Sequence, residues 1–376
     1  MSNIAIVVIT YNRLHSLKRL IDSLLKATYD ESVNLIISID RSDIFEQMYD
    51  YASKIVWIYG EIEIKVAEKR LGLKKHVMQC GELLNQYEHI VVLEDDLYVS
   101  PGFYQYTKEM ISKYANNENI AGISLYNYPR NQYANLPFTP QLDQYDVYFM
   151  KIASSWGQVW SRQKWAKFLE WSNINPSIDE LHIPKHIKLW GGKSWLKHHH
   201  AYCAVENKYF VYPRMALSTN FSEPGEHASL DSTYQVELLS DVKSNYKTPN
   251  SVDDAIRYDE FFENENIKKD IPFNNLTIDL YGKKYIYERY VLTTKHLNKK
   301  IIKSYALRMK PWEVNVTHNI EGSDFFLYDF NVEERNFFKS RKSYKYKYLF
   351  KINSPREILN ILLSYFFNKI SGLKRC

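Results

Sequence analysis

The sequence predicts a mixed α/β protein built around a mostly parallel β-sheet flanked by helices. In the first hundred residues, short β-branched apolar segments alternate with longer segments whose apolar residues recur at helical spacing. This alternation is typical of parallel strands joined by helical crossovers. Polar or acidic residues directly follow three of the apolar segments, at the end of a strand where open α/β sheets bind ligands.

The elements follow one another closely. The run IAIVVI predicts a buried strand, and the leucines after it predict a helix with one apolar face. LIISI and HIVVL are β-branched runs of the same kind, whereas IEIKV is a shorter strand. In chain order, the predicted strands are 4–9, 33–39, 62–66, 89–93 and 120–124, and the predicted helices are 14–27, 43–51, 74–87 and 103–114.

Length and charge divide the chain into three predicted parts. The 376 residues are enough for one large domain and a smaller unit. We predict a large domain over 1–240, an accessory region over 241–336 and a tail over 337–376. The tail has ten Lys or Arg against one acid, Glu357, whereas the preceding residues have 39 basic and 43 acidic side chains. This separation argues against a nucleic-acid partner and for an anionic contact made by the tail.

Cysteine content and hydropathy indicate the compartment. Cys80, Cys203 and Cys376 lie far apart in sequence, which predicts neither a disulfide framework nor a zinc site. The N-terminus lacks a basic segment before its short apolar run, and no apolar stretch is long enough for a membrane span. We therefore expect a cytoplasmic protein.

An acidic triplet ends the strand at 89–93. Glu94, Asp95 and Asp96 are consecutive and have apolar residues on both sides. Carboxylates packed in this way repel one another and are costly to desolvate unless a cation or hydrogen-bond donors neutralise them. Asp96 suits a hard divalent cation, which prefers oxygen ligands and bridges phosphates.

Two further strand ends carry polar residues that fit the same cleft. Thr10, Asn12 and Arg13 follow the first strand, and Asp40 follows the second, where a carboxylate suits a base N–H or a ribose hydroxyl. Arg70 and Lys74 are suited to a diphosphate. Taken singly, Asp40 is also explained as a helix cap and Lys74 as a solvated helix charge. Together with the triplet, these residues indicate a nucleotide-diphosphate site.

These motifs resemble a known family. VVITYNRLHSLKRLIDSLL, LIISID, RLGLKKHVMQCGELL and VVLEDDLYVSPGFYQY, in this order, resemble glycosyltransferases of the Rossmann-like GT-A fold, namely the N-acetylglucosaminyltransferase I type and the bacterial family 2 type. The resemblance covers about residues 3–230 and implies that the domain over 1–240 is the nucleotide-sugar-binding and catalytic domain. It implies that Asp96 binds Mn²⁺ or Mg²⁺, that Asp95 and Glu94 lie near the ribose and donor sugar, and that Asp40 contacts the uracil or ribose.

The resemblance also implies an activity. Such an enzyme moves a hexosyl or N-acetylhexosaminyl group from a UDP-sugar to a glycan acceptor, which we expect to be lipid-linked, in the assembly of bacterial surface polysaccharide or lipopolysaccharide. Trp156 in ASSWGQVW is suited to stack on a sugar ring. His227 corresponds to a C-terminal metal ligand of such enzymes.

The sequence departs from the family pattern at the general base. Where inverting relatives have an Asp, the stretch WGGKSWLKHHHAYC has no acid. Three explanations are open. The base is another acid, with Glu223 or Glu226 the nearest candidates. The enzyme is retaining and needs no such base. Alternatively, the chain is a catalytically inactive relative that binds glycan or nucleotide.

The C-terminal tail has features of a membrane contact. Ser354-Pro355-Arg356-Glu357 is a capping box, which predicts a helix start. Apolar residues fill most of the predicted amphipathic helix, and the preceding segment alternates basic and aromatic residues. This combination fits an anionic membrane, and we expect attachment at the inner face of the plasma membrane. The alternative is a helix buried against the domain or in a dimer.

Overall fold

The structure is a computed structural model that describes residues 3–221, 223, 234–336 and 353–373, with side chains described up to residue 366. It forms two compact units. The first comprises Met1–Tyr133 with Pro137–Asn266, and the second comprises Ala134–Leu136 with Ile267–Cys376. The first unit thus continues past residue 240, and the three-part division with boundaries at 240 and 336 stays a prediction.

The first hundred residues form the predicted alternation of strands and helices. The strands and helices up to residue 124 are β1 (Ile4–Thr10), α1 (Leu14–Leu25), β2 (Asn34–Ile39), α2 (Phe45–Ser53), β3 (Ile62–Val66), α3 (Leu73–Cys80), β4 (His89–Glu94), β5 (Leu97–Val99), α4 (Phe103–Tyr114) and β6 (Ile120–Ser124). The predicted helix over 74–87 instead ends at Cys80 and continues as a 3₁₀ turn. At the junction Gly81 packs so closely on Trp165 that an added Cβ would lie 2.4 Å from the indole nitrogen.

The remaining elements are shorter. The strands are β7 (Arg130–Asn131), β8 (Leu136–Pro137), β9 (Val147–Met150), β10 (Gln158–Ser161), β11 (Tyr209–Pro213), β12 (Ser218–Asn220), β13 (Arg257–Tyr258), β14 (Leu276–Asp279), β15 (Tyr290–Thr293), β16 (Lys299–Tyr305) and β17 (Phe325–Glu333). The helices are α5 (Arg162–Ile174), α6 (Lys185–Lys188), α7 (Leu196–Val205), α8 (Val314–Thr317) and α9 (Pro355–Leu373).

The first unit is organised by a nine-stranded sheet with the order β13-β9-β11-β6-β10-β4-β1-β2-β3. Strands β4, β1, β2 and β3 are parallel, whereas β10 is antiparallel to both of its neighbours. All seven residues of β1 are buried, because the sheet is covered on both faces. Helix α1 packs its apolar face, including Leu17, Leu20 and Ile21, into the core. The predicted α/β class with a mostly parallel sheet flanked by helices is confirmed.

The register of the parallel strands brings their carboxyl ends to one edge. Ile9 of β1 lies beside Glu94 of β4, and Thr10 lies beside Ile39 of β2. After the turn that follows β4, strand β5 pairs with β12 in a separate two-stranded ribbon. In this way the polar residues after β1, β2 and β4 share one edge of the sheet.

The second unit has its own small core around a four-stranded sheet with the order β14-β15-β17-β16. Strands β14 and β15 are parallel, and the other pairs are antiparallel. Leu292 and Phe325 are fully buried in its core. Asp279, also fully buried, accepts hydrogen bonds from the Tyr287 hydroxyl and the Lys284 backbone N–H and pairs with Lys295.

Helix α9 begins at the predicted capping box. The Ser354 N–H donates to the Glu357 carboxylate at 2.6 Å, and the Glu357 N–H donates to the Ser354 hydroxyl at 3.2 Å. Its apolar side chains up to Phe366 are largely exposed, and its amphipathic role stays a prediction. The basic segment before it lies outside the described residues. In the described part of the chain, none of the helices combines the length and apolar content that a membrane span needs.

Gly122→Ala tests the close packing of β6 against β11. A Cβ at Gly122 would lie 2.5 Å from the ring of the buried Phe210, so the substitution is expected to lower the free energy of unfolding by about 1–3 kcal/mol. Urea denaturation measures the change. Gly191→Ala is the matched control, because no atom lies within 4 Å of its added Cβ. Equal effects of the two substitutions would contradict the packing argument.

Candidate functional site

The site forms where β1 and β4 end. The Thr10 hydroxyl donates to Asp95 Oδ2 at 2.7 Å, and the Asp95 backbone N–H donates to the Ile9 carbonyl at 3.1 Å. The guanidinium of Arg13, just before α1, donates to Asp95 Oδ1 and to Asp96 Oδ2, the latter at 3.1 Å. The structure thus brings together Thr10, Arg13, Asp95 and Asp96.

Electrostatic effects in this cluster are large because water is mostly excluded. Burial raises the pKa of Asp95 to about 6, although Arg13 and the Thr10 hydroxyl act in the opposite direction. Burial lowers the pKa of Arg13, but the charges of Asp95 and Asp96 outweigh that effect and raise it. The pKa of Glu94 is raised well above its ordinary value. Burial is the largest cause, and the charges of Asp96 and Asp95 add to it.

Asp96 has one carboxylate oxygen without a partner. Oδ2 accepts from Arg13, whereas Oδ1 is buried and has no hydrogen-bond partner among the residues that the structure describes. Buried polar atoms are normally paired, so an orphaned carboxylate oxygen calls for an explanation. The donor chemistry fits a hard divalent cation, which is held by one or two carboxylates together with substrate phosphates. Among the described residues, no three His, Cys, Asp or Glu side chains are grouped to hold a metal.

The Asp40 carboxylate accepts hydrogen bonds from the protein backbone. Its oxygens accept from the backbone N–H groups of Arg41, Leu71 and Gly72, each at 2.8 Å. These bonds fix the turn that leads into α3, where Gly72 has a φ of +77°. The alternative role as a cap of α2 is not observed, because the residue before that helix is Ile44 and no side chain caps it. The contact of Asp40 with uracil or ribose stays a prediction.

The other predicted nucleotide-sugar residues surround this edge. Asn12 is exposed, and the Arg70 guanidinium lies over the Tyr11 ring with 4.9 Å to its centre. Lys74 is half-buried at the start of α3, and its charge is close enough to His198 to lower the pKa of that histidine, after the larger effect of burial. Their proposed contacts with a diphosphate stay predictions.

Trp156 lies in a group of aromatic rings. Its ring centre is 4.7 Å from that of Tyr126 and 4.8 Å from that of Tyr234, and the indole is half-buried. The next residue, Gly157, has a φ of +91° and lies close to Ser218, where a side chain at position 157 would not fit. Trp160 and Trp165, by contrast, stack on each other at 3.9 Å inside the core. Trp156 therefore remains the candidate for a sugar contact.

Glu223 forms an ion pair with Arg19. Arg19 of α1 binds both of its oxygens, at 2.7 and 2.8 Å, and the Ser16 hydroxyl donates to it at 2.7 Å. The hydrogen bonds from Arg19 lower its pKa to about 2, against a smaller opposing effect of burial. A carboxylate held in this way is a weak proton acceptor, and the geometry argues against the predicted role as general base. Glu226 and His227 lie outside the described residues and stay predictions.

Sequence reasoning missed these partners of the site. Arg19 also lies over the Phe221 ring at 3.6 Å, and the Phe221 N–H donates to the Asp96 carbonyl at 3.0 Å. Phe221 is therefore anchored beside the acidic run. Trp195, from the stretch that lacks an acid, is close enough to Glu94 to act against the rise in the pKa of that carboxyl, which burial mainly causes. Only the tryptophan content of that stretch hinted at such a contact.

His199 and His200, in the stretch that lacks an acid, are packing residues. His199 and His200 are each 2% exposed, and His199 stacks on Phe168 at 4.4 Å. Burial lowers the pKa of His199 to about 3 and lowers that of His200 as well. Both rings are therefore neutral near pH 7.

Comparison with known proteins agrees with the site's location. Residues 5–164 match the model of the family described as Glycosyl transferase family 2, which is less than half of the chain but contains Thr10 to Asp96. Residues 5–164 of the first unit are therefore similar to glycosyltransferase family 2 domains, which confirms the predicted resemblance at that level. The N-acetylglucosaminyltransferase I type stays a prediction. A search of curated proteins gave no match.

Solved structures overlap with part of the chain. The S. aureus TarS 1-349 complex with UDP-GlcNAc is 15% identical, with 60% of each chain covered and a TM-score of 0.38. The mannosyltransferase PcManGT from Pyrobaculum calidifontis, in complex with GDP-Man and Mn²⁺, is 11% identical, with 56% of this chain and 54% of that chain covered and a TM-score of 0.36. The chain thus spans about 60% or less of these proteins, and such low TM-scores support no argument about substrate.

Glu223→Gln tests the ion pair with Arg19 through its pH dependence. A carboxylate with a lowered pKa stabilises the fold above its ordinary pKa, and that stability is lost as the pH falls toward about 2. Because the side chain is 32% exposed, we expect wild type to exceed the variant by only about 1 kcal/mol at neutral pH, and by less near pH 3. Urea denaturation at several pH values measures this difference.

Glu118→Gln is the control, because Glu118 forms an exposed ion pair with Lys167. Its effect should be smaller and should shrink with added salt. A difference between wild type and Glu223→Gln that does not change with pH would contradict the ion-pair account.

Proposed function

We propose that this protein is a metal-dependent glycosyltransferase that moves a hexosyl or N-acetylhexosaminyl group from a UDP-sugar to a glycan acceptor. The observation that carries the proposal is the cluster at the ends of β1 and β4, where Asp96 has a buried, unpartnered oxygen beside Arg13. Its position inside the glycosyltransferase family 2 match supports the reaction class. The proposed setting is the assembly of bacterial surface polysaccharide or lipopolysaccharide.

Asp96 would hold Mn²⁺ or Mg²⁺, with His227 proposed as a second ligand. When bound, the cation offsets the negative charge that develops on the leaving diphosphate. Thr10 and Arg13 keep the Asp95 carboxylate fixed beside that position. Asp40 holds the turn before α3, and Arg70 and Lys74 beside that turn are proposed to contact the diphosphate.

The sugars are proposed to lie toward Trp156. Its half-buried indole, together with Tyr234, offers an aromatic face of the kind that packs on pyranose rings. Glu94 would contact the donor sugar from the end of β4. Since Glu223 is bound to Arg19, an inverting reaction would need Glu226 or another acid as its base.

The second candidate function is a catalytically inactive relative that binds glycan or nucleotide. The acid-free stretch before β11 and the ion-paired state of Glu223 favour it. Release of UDP in the presence of a suitable acceptor separates the two functions. A protein that binds UDP-sugar but never releases UDP, across a panel of acceptors, would support the inactive relative.

The proposed location is the inner face of the plasma membrane, reached through the tail. Leu359, Leu362 and Phe366 of α9 are 55%, 50% and 57% exposed, so the helix presents apolar surface. The basic residues that precede it in sequence complement anionic lipid headgroups, each Lys or Arg adding about 1 kcal/mol. A lipid-linked glycan acceptor would fit this location.

Asp96→Asn tests the metal assignment. Loss of the carboxylate charge is expected to weaken Mn²⁺-dependent UDP binding at least about tenfold in a protein that keeps its fold. Calorimetric titration of UDP with and without Mn²⁺ measures the effect. Asp50→Asn is the control, because Asp50 pairs with Lys54 on the surface of α2. If Asp96→Asn bound UDP in Mn²⁺ as tightly as wild type, the assignment would be wrong.

Deletion of 339–376 tests the membrane contact. The truncated chain is expected to lose flotation with anionic vesicles and to keep UDP binding, because the proposed nucleotide residues precede residue 100. Replacing Leu362 and Phe366 by Ser removes apolar surface only. The remaining attraction should then be salt-sensitive, since charges are screened over about 8 Å at physiological ionic strength.

Asn360→Ser serves as the control for this pair, because it changes an exposed polar residue of the same helix. Flotation of the truncated chain at the wild-type level would show that the tail is not the anchor. Burial of α9 against the protein or in a dimer would then be the better account.

A further inference from the structure

Arg13 occupies the place of a cation in this site. Its two terminal nitrogens donate to Asp95 Oδ1 and Asp96 Oδ2, so a single guanidinium bridges both carboxylates. The side chain is only 26% exposed, and those of Asp95 and Asp96 are 4% and 15% exposed. The protein alone therefore already supplies a positive charge to the acidic run.

We propose that Arg13 is a built-in counter-cation that makes the divalent cation and the nucleotide diphosphate bind to this site together. The inference rests on the proposed function and concerns how that function begins. Without nucleotide, Arg13 balances part of the charge that would attract a metal ion. With nucleotide, the diphosphate offers the guanidinium a partner of its own.

Two observations lead us to expect that the site binds a cation weakly when no nucleotide is present. Like charges repel strongly in a site from which water is mostly excluded, and Arg13 is held on the same carboxylates that a cation would use. Within the described chain, moreover, no three metal-ligating side chains are grouped, so Asp96 Oδ1 offers only one free ligand. Small divalent cations reach full coordination in such sites through substrate phosphates and water.

The diphosphate changes this balance. Arginine binds phosphate oxygens through short, charge-assisted hydrogen bonds, which compete with its bonds to carboxylates. Once the phosphates share the guanidinium, Asp95 and Asp96 regain charge for the cation. Binding of each ligand then strengthens binding of the other by the same factor, as linkage requires.

Arg19 provides a matched control within the same part of the chain. It lies six residues after Arg13, is partly buried, and forms a comparable bidentate ion pair, but with Glu223. Replacing it removes the same charge and a similar packing surface. Any effect specific to Asp95 and Asp96 should therefore appear at Arg13 and not at Arg19.

Calorimetry of the full-length protein tests the inference with Mn²⁺ alone, UDP alone, and each in the presence of the other. In wild type, saturating UDP should increase the affinity for Mn²⁺ at least about tenfold. In Arg13→Met, Mn²⁺ alone should bind at least about tenfold tighter than in wild type, and the coupling should fall by a similar factor. Arg19→Met should keep the wild-type coupling.

The outcomes separate this inference from the proposed function. If wild type shows coupling and Arg13→Met shows the same coupling, or no gain in affinity for Mn²⁺ alone, the inference is wrong and the proposed function stands. If wild type binds neither UDP nor UDP with Mn²⁺, both are wrong. Should Arg13→Met fail to fold by circular dichroism, Arg13→Lys replaces it. Lysine keeps the charge, so its coupling must stay within about threefold of wild type, and a larger loss overturns the inference.

Discussion

Two carboxylates at the end of β4, the buried Asp95 and the half-buried Asp96, must be neutralised, and several surrounding residues are arranged to do so. The Asp95 carboxylate accepts hydrogen bonds from the Thr10 hydroxyl at the end of β1 and from the Arg13 guanidinium just before α1. Its backbone N–H donates to the Ile9 carbonyl of β1. Removing one partner of such a buried pair typically costs about 3–5 kcal/mol, because an unpaired charge is left in a medium that solvates it poorly. These bonds connect the turn between β1 and α1 to the end of β4. They fix the position of the Asp95 carboxylate in the absence of a ligand.

The other carboxylates near this edge are satisfied in different ways, which clarifies their roles. Asp40 is saturated by backbone N–H groups and fixes a turn, whereas Glu223 is held by Arg19 and Ser16 and anchors the chain after β12. Neither presents a vacant oxygen comparable to Asp96 Oδ1. Chemically similar side chains within one cleft are therefore distinguished by their hydrogen bonds.

The sequence was sufficient to predict the parts of the structure that depend on local pattern. Strands β1 and β4 are continuous apolar runs, and the residues after them meet because the carboxyl ends of parallel strands share an edge. Contacts across long separations carried no such signal. Nothing in the sequence near Glu223 indicates a partner 204 residues away, so the sequence alone predicts a candidate base where the structure has an ion pair. The end of α3 at Cys80 was likewise unpredictable, because it coincides with the packing of Gly81 on Trp165.

Charge balance connects these findings to the proposed reaction. Burial raises the pKa of Glu94, and Arg13 balances part of the negative charge of Asp95 and Asp96. A divalent cation alone would be repelled by Arg13. A diphosphate alone would be repelled by Asp95 and Asp96. Under the proposed function, the cation and the diphosphate together would balance the fixed carboxylates and the guanidinium. A site with its own internal cation would then be suited to a substrate that binds as a metal–diphosphate pair.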